Sequence, residues 1–291
     1  MNGAPFVDFD YSVMTERNAG FVTAEGQRRL RAGAVFVCGV GGMGGAALIA
    51  LVRAGVGNVA ITDPDRFELS NLNRQLLATL DTVGKQKALV ARDHVHLLNP
   101  EARVATWGDD WVDRLDEILP AYPLVVNGMD DVRAAIQLYR KAREHRVAVI
   151  DAYTAPMPSL IRVGPDDPRP EERLDFPSLG RDPATLSARE IAECARREIE
   201  FVITHTSALA HFDARVAVEV LDGLRARPSF APVVLTAGQL MAGEALSCLL
   251  GRPTSTDHRG WFLDPWNGRI ERPCHDDALP GSATPPPTPG G

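Results

Sequence analysis

The chain alternates short apolar runs with segments of helical spacing. AVFVC (34–38) reads as a buried strand, and AALIALVRAG beyond the glycines reads as a helix packed against it. NVAIT (58–62), ARVAT (102–106), PLVVN (123–127) and VAVID (147–151) are further β-rich runs. Between them, residues 84–98 have helical spacing that stops at Asn99-Pro100. WVDRLDEIL (111–119) and DVRAAIQLYRKAREH (131–145) are also expected as helices, the latter with Arg133, Arg140 and Lys141 on its polar side. This alternation predicts an α/β fold: a doubly wound, mostly parallel Rossmann-like sheet with helices on both faces. Residues 32–52 carry no charge and approach the length of a membrane span, but five central glycines favour strand, tight turn and helix.

The rhythm changes after Asp151. SLIRVG (159–164) is a possible strand, and the proline- and charge-rich stretch 165–183 reads as a mobile connection or lid within an insertion spanning 164–200. A serine-capped helix (185–201) and two more helical runs (212–226, 236–251) precede GWFLD and GRIER, which form a terminal antiparallel hairpin in this reading. The expected organisation is an entry segment (1–33), a main domain (34–272) with this C-terminal extension of helices and hairpin, and a disordered tail (273–291). That tail holds six prolines.

Composition narrows the function classes. At 45% hydrophobic and 24% charged, the 291 residues can bury a sizeable core. The net charge of −7 gives no support to nucleic-acid wrapping, and no membrane association is expected. Cys38, Cys194, Cys248 and Cys274 lie far apart without a Cys-x-x-Cys pair, so neither a disulfide framework nor a four-cysteine zinc site is expected. The first sixteen residues contain acids and no Lys or Arg, which points to a cytoplasmic protein rather than a targeting peptide.

Gly39-Val40-Gly41-Gly42-Met43-Gly44 has the form G-x-G-x-x-G between a strand and a helix, where bare backbone N–H groups can approach phosphates. Asp63 ends the second strand, where a carboxylate can accept from ribose hydroxyls. Alone, these features equally suit a nicotinamide-dependent oxidoreductase. The segment from Asp63 to Gln75, DPDRFELSNLNRQ, changes that picture. It resembles the D-x-D-x-[VF]-E-x-S-N-L-N-R-Q signature of the ubiquitin-activating superfamily, whose bacterial members include ThiF, MoeB and HesA. Gly84-Lys85-Gln86-Lys87, the Asn127-Gly128-Met129-Asp130-Asp131 stretch, the entry segment Glu16-Arg17-Asn18 with Gly26-Gln27, and the late helix at 236–251 extend the resemblance over residues 14 to 272.

The resemblance implies condensation of a carboxylate with ATP, giving an acyl-adenylate and pyrophosphate. The carboxylate would be the C-terminal glycine of a small ubiquitin-like sulfur carrier or of a peptide. Gly39, Gly41, Gly42, Gly44, Asp63, Asn71, Arg74, Gln75 and Lys87 would bind ATP. Arg74 would take the β/γ-phosphates, Lys87 the α-phosphate, Asn71 a further phosphate contact and Asp130 the Mg²⁺. Arg17 would reach the triphosphate of a neighbouring subunit, implying a homodimer; Asn18 replaces the family's usual glutamine there. Each residue also has a plainer role: Asp63 as a turn former, Arg74 as a surface ion pair, Lys87 as a solvated helix residue, Asp130 as a helix cap. Asn127 stands where many relatives carry aspartate. Cys194, near Arg197, is the candidate acyl-accepting thiol, with an inert buried cysteine as its alternative. His205 and His211 read as structural. The Gly290-Gly291 terminus could itself be a substrate for adenylation, or merely end a proline-rich tail. A non-catalytic docking partner on the same fold is the remaining alternative.

Overall fold

Five parallel strands build the centre of the sheet: β1 (Ala34–Cys38), β2 (Asn58–Thr62), β3 (Arg103–Trp107), β4 (Leu124–Asn127) and β5 (Ala148–Asp151). Three antiparallel strands, β6 (Ser159–Val163), β7 (Trp261–Asp264) and β8 (Arg269–Glu271), extend it to the order β3-β2-β1-β4-β5-β6-β7-β8. The helices are α1 (Tyr11–Thr15), α2 (Ala24–Ala32), α3 (Gly42–Arg53), α4 (Lys87–Leu98), α5 (Leu115–Ile118), α6 (Val132–Glu144), α7 (Pro170–Arg173), α8 (Ala188–His205), α9 (Ala214–Leu221) and α10 (Ala231–Leu250). This computed structural model describes residues 8–153 and 156–273; the expected tail, with Cys274 and Gly290-Gly291, lies outside them.

The central strands are buried on both faces, which is why they read as unbroken apolar runs. Val35, Val37, Val59 and Ile61 pack beneath α3, α4 and α10, whereas Phe36, Cys38 and Ala60 face the layer of α6 and α8. α10 is long and apolar enough to cross a membrane by length and composition, yet it packs along α3 in one of these cores. The uncharged 32–52 stretch resolves into β1, the glycine turn and α3. Ser187 caps α8 in a reciprocal box with Glu190, as its sequence signals. The strand order reverses around β1, which has β2 on one side and β4 on the other, so a crevice opens beyond their C-terminal ends.

Three local expectations need correction. The helix expected over 111–119 is reduced to α5 followed by a 3₁₀ turn at Leu119–Ala121; residues 111–114 form tighter turns, with Asp113 N bonding the Asp110 carbonyl and Arg114 N the Trp111 carbonyl, both at 3.1 Å. The helix expected from residue 84 begins at Lys87; residues 84–86 instead fold back on the preceding loop, with Arg66 bridged to Gln86. The stretch 165–183 is no free lid. α7 within it is clamped to α6, where Arg140 donates to both Glu171 oxygens (2.9 and 2.7 Å) and Arg143 to both Glu172 oxygens (2.9 and 2.7 Å).

Glu171 is 2% exposed and also accepts from Ser178 Oγ at 2.8 Å. Burial alone would raise its pKa, but the bonds from Arg140 and Ser178 bring it below the usual carboxylate range. Glu171→Gln removes the charge that compensates Arg140, and should lower the unfolding free energy by about 3 kcal/mol in urea denaturation. An unchanged transition would show that α7 is not held by this pair.

Candidate active site

The crevice at the reversal point is built from backbone contacts among three segments. Gly39 leaves β1 with φ +76°, and its N–H donates to the Thr62 carbonyl at 2.8 Å. An added Cβ on Gly44 would lie 1.9 Å from the Gly39 carbonyl oxygen. Gly128, following β4, donates to the Cys38 carbonyl at 2.7 Å. α3 then starts at Gly42, behind Gly41 and without a side-chain cap, leaving its first N–H groups directed at the crevice.

Asp63 seals one side of this turn. Its Oδ2 accepts from Val40 N at 2.8 Å and its Oδ1 from Asp65 N at 3.0 Å. Burial raises the Asp63 pKa, and the nearby Lys87 charge opposes that rise. Lys87, the first residue of α4, is buried and donates to Asp65 Oδ2 at 2.9 Å, so it is not a solvated helix residue. Asp65, exposed at the mouth, is a partner that assignment by residue roles passed over, although the D-x-D spacing had flagged it.

The 69–75 segment closes the other side. Arg74 donates to the Ser70 carbonyl (3.1 Å) and Asn73 Oδ1 (2.9 Å), with its stem near Gly42. It therefore makes no surface ion pair among the described residues. Gln75 is buried beside Gly41, and its Oε1 has no hydrogen-bond partner among the described residues. Such an orphaned acceptor at a glycine cradle fits a donor-bearing ligand in the crevice. Asn71 faces inward: its Oδ1 accepts from Glu68 N at 3.1 Å and its Nδ2 reaches Ser70 Oγ at 3.4 Å. That arrangement secures the loop.

Beyond β4, Asp131 caps α6 by accepting from Arg133 N and Ala134 N, so the capping role considered for Asp130 belongs to its neighbour. Asp130 is exposed and takes part in no hydrogen bond or ion pair among the described residues. An unengaged carboxylate at the mouth of the crevice fits Mg²⁺, which commonly binds through one or two carboxylates plus phosphate oxygens. No group of three or more His, Cys, Asp and Glu able to hold a metal occurs among the described residues.

Other candidates stand apart. Arg17 lies on the exposed 3₁₀ turn Glu16–Asn18. Asn18 and Gln27 both donate to the Ala54 carbonyl at the far end of α3, about 18 Å along the helix from Gly41. Arg17 therefore does not join the crevice of its own chain. Cys194 is fully buried, and burial pushes its thiol up to about 11. Arg197, expected to activate it, is instead engaged by Glu193 and Asp175. The acyl-accepting role is thus corrected to a packing cysteine. Cys38 is also buried, and Cys248 is half-buried. His205 bonds the Phe201 carbonyl through Nδ1, and His211 pairs with buried Asp264 while stacking on Trp266.

Next to Asp130 a cavity of about 70 Å³ runs between α6, α7 and α8, and Asp151 forms part of its wall. Tyr139 donates to Asp151 Oδ2 at 2.6 Å and Asn127 Nδ2 to the same oxygen at 2.7 Å, while Ala152 N bonds Oδ1 at 2.7 Å. The Asn127 departure from the family pattern thus places an amide donor on a neighbouring carboxylate. Burial raises the Asp151 pKa to about 6 against those bonds. No sequence signal singled out Asp151 beyond its place at a strand end.

A pH prediction follows from that shift. Between the unfolded value of about 4 and the native value of about 6, unfolding releases the Asp151 proton, so stability falls as pH rises. Relative to wild type, Asp151→Asn should gain about 2–3 kcal/mol between pH 4 and pH 7, read from urea unfolding. A difference independent of pH would contradict the shift.

Comparison with known proteins adds the family context. A model described as the ThiF family matches residues 15–281. A sulfur carrier protein adenylyltransferase of Thermus thermophilus is 45% identical over 111 residues, covering 38% of this chain and 41% of that protein. A tRNA threonylcarbamoyladenosine dehydratase of Haemophilus influenzae is 30% identical over 172 residues, covering 58% of this chain and 63% of the relative. These matches span less than two thirds of either relative. Among solved structures, PaaA aligns with a TM-score of 0.63 at 19% identity, covering 93% of this chain and 85% of that one. Escherichia coli MccB with MccA gives a TM-score of 0.62 at 17% identity, covering 85% and 66%. Both structural likenesses establish the shared fold.

Proposed function

Because the chain belongs to the ThiF family, we propose that it adenylates a carboxylate with ATP and Mg²⁺, releasing pyrophosphate. The substrate in this reading is the C-terminal carboxylate of a small ubiquitin-like carrier protein or a peptide. The observation that carries it is the grouping of Lys87, Arg74 and Gln75 around the Gly39–Gly44 turn, with Asp130 unengaged at the mouth. A nicotinamide enzyme needs the turn and Asp63 but has no use for so many phosphate partners. A docking scaffold has no need of them either.

Bound ATP supplies the electrophilic α-phosphorus that the substrate carboxylate attacks. The protein's part is to hold charge in place rather than to form bonds with the substrate. Asp63 accepts from the ribose, Lys87 turns from Asp65 toward the α-phosphate, and Arg74 presents its planar fork to the leaving pyrophosphate. Asp130 would hold Mg²⁺, which would supply positive charge to the phosphates. The reading includes a cytoplasmic homodimer in which Arg17 serves the neighbouring subunit's triphosphate.

Relatives named sulfur carrier protein adenylyltransferase and, in Culex quinquefasciatus, adenylyltransferase and sulfurtransferase MOCS3 support a carrier substrate. Relatives named tRNA threonylcarbamoyladenosine dehydratase support a second one, a carboxylate on a modified tRNA nucleoside. The net charge of −7 favours the carrier or peptide. ATP–pyrophosphate exchange tests the reaction: a panel of glycine-terminated carriers and peptides, with modified tRNA as the competing arm, should stimulate exchange through one member. Binding of NADH in place of ATP would overturn the proposal.

A further inference from the structure

The cavity beside Asp130 is lined by none of the glycine turn, Asp63, Arg74, Gln75 or Lys87, yet it shares the Asn127–Asp131 loop with that site. Resting on the adenylation reading, we propose that this cavity is the acceptor subsite, that it takes a primary amine, and that Asp151 receives the amine's proton as an amide forms.

Three observations lead there. The cavity lining carries five carboxylates against two guanidiniums, Arg169 and Arg227, so its field favours a cation. Glu171 is engaged by Arg140 and Asp131 by the α6 cap, and among the other lining carboxylates Asp151 is fixed in the wall by three donors. Asp151 nevertheless retains accessible surface, and its Oδ1, which accepts from Ala152 N alone, has a further lone pair. The remaining wall, including Ile161, Leu174 and Phe176, is apolar and suits the carbon stem of an alkylamine. Finally, Cys194 is buried with its thiol raised, and no cysteine among the described residues lines the cavity. An acyl group made at Asp130 therefore meets a carboxylate-lined pocket rather than a thiol.

The step balances without a further reactant. The neutral amine attacks the acyl carbon, the C–N bond forms, and the C–O bond to AMP breaks with its electron pair leaving on the phosphate. The proton shed by nitrogen passes to Asp151. Burial, which raises this carboxyl to about 6, improves it as a proton acceptor relative to an ordinary aspartate.

The test needs no knowledge of the carboxylate substrate. Calorimetry on the full chain compares n-hexylamine, hexan-1-ol and hexanoate, with a lysine-containing tripeptide blocked at both ends as a second amine source. Hexylamine or the peptide should bind at least tenfold more tightly than the alcohol, hexanoate should not bind, and Asp151→Asn should remove at least tenfold of the amine affinity. The tighter of the two amines identifies a free small molecule or a lysine side chain as the source. Equal affinity for amine and alcohol in the wild type overturns the inference, and requires no variant to fold. ATP titrated into the same wild-type sample separates the two levels. ATP binding without amine selectivity sinks the acceptor subsite alone, whereas failure to bind ATP sinks the adenylation reading on which it rests.

Discussion

Lys87→Ala is expected to slow carboxylate adenylation by roughly 10²–10³-fold, the loss typical when one preorganised charge donor is removed from a transition state. The same substitution should change unfolding free energy by no more than about 1 kcal/mol. Lys87 occupies the first position of α4, where a positive charge opposes the helix dipole, and its ion-pair partner among the described residues, Asp65, is 66% exposed. Neither interaction makes the lysine valuable to the fold, so its burial beside Asp63 has to be explained by the crevice. Pyrophosphate exchange and urea unfolding, run on the same preparation, separate the two quantities. Exchange at the wild-type rate would remove Lys87 from the chemistry.

Gly44→Ala should cost more than about 3 kcal/mol of stability and abolish ATP binding together. The added carbon would stand 1.9 Å from the Gly39 carbonyl oxygen, where both partners are backbone and neither can rotate away. Relief requires moving the α3 N-terminus from β1, which opens the cradle itself. Gly243 in α10 provides the matched contrast, because an added Cβ there meets nothing within 4 Å. Gly243→Ala should stabilise by about 0.5–1 kcal/mol through helix propensity. Thermal unfolding and ATP titration of the pair check both signs, and similar behaviour of the two variants would contradict the close-approach account.

The parallel half of the sheet is legible in the sequence because strands buried on both faces are continuous apolar runs, and because G-x-G-x-x-G marks where β1 turns into α3. Asp63 and Lys87 are legible for a related reason: their roles depend on the ends of local elements. The segment 165–183 is not. Its prolines and charges read as mobile, whereas its order comes from Arg140 and Arg143, roughly thirty residues upstream on α6. Cys194 shows the same limit, since the nearby Arg197 is spent on Glu193 and Asp175 rather than on the thiol. Asp151 is a plain strand end until Asn127 and Tyr139, from two other elements, meet it at one oxygen. Local periodicity reports which face is buried. It carries no record of which distant charge will arrive there.

The central claim is that the crevice formed by the glycine turn, Arg74, Gln75 and Lys87 holds a triphosphate. Calorimetric titration of ATP with Mg²⁺, set against NADH, on wild type and Arg74→Ala addresses it most directly. The account predicts saturable ATP binding by the wild type, at least tenfold weaker in Arg74→Ala, and no comparable binding of NADH. NADH binding without ATP binding, or ATP affinity indifferent to Arg74, would contradict it.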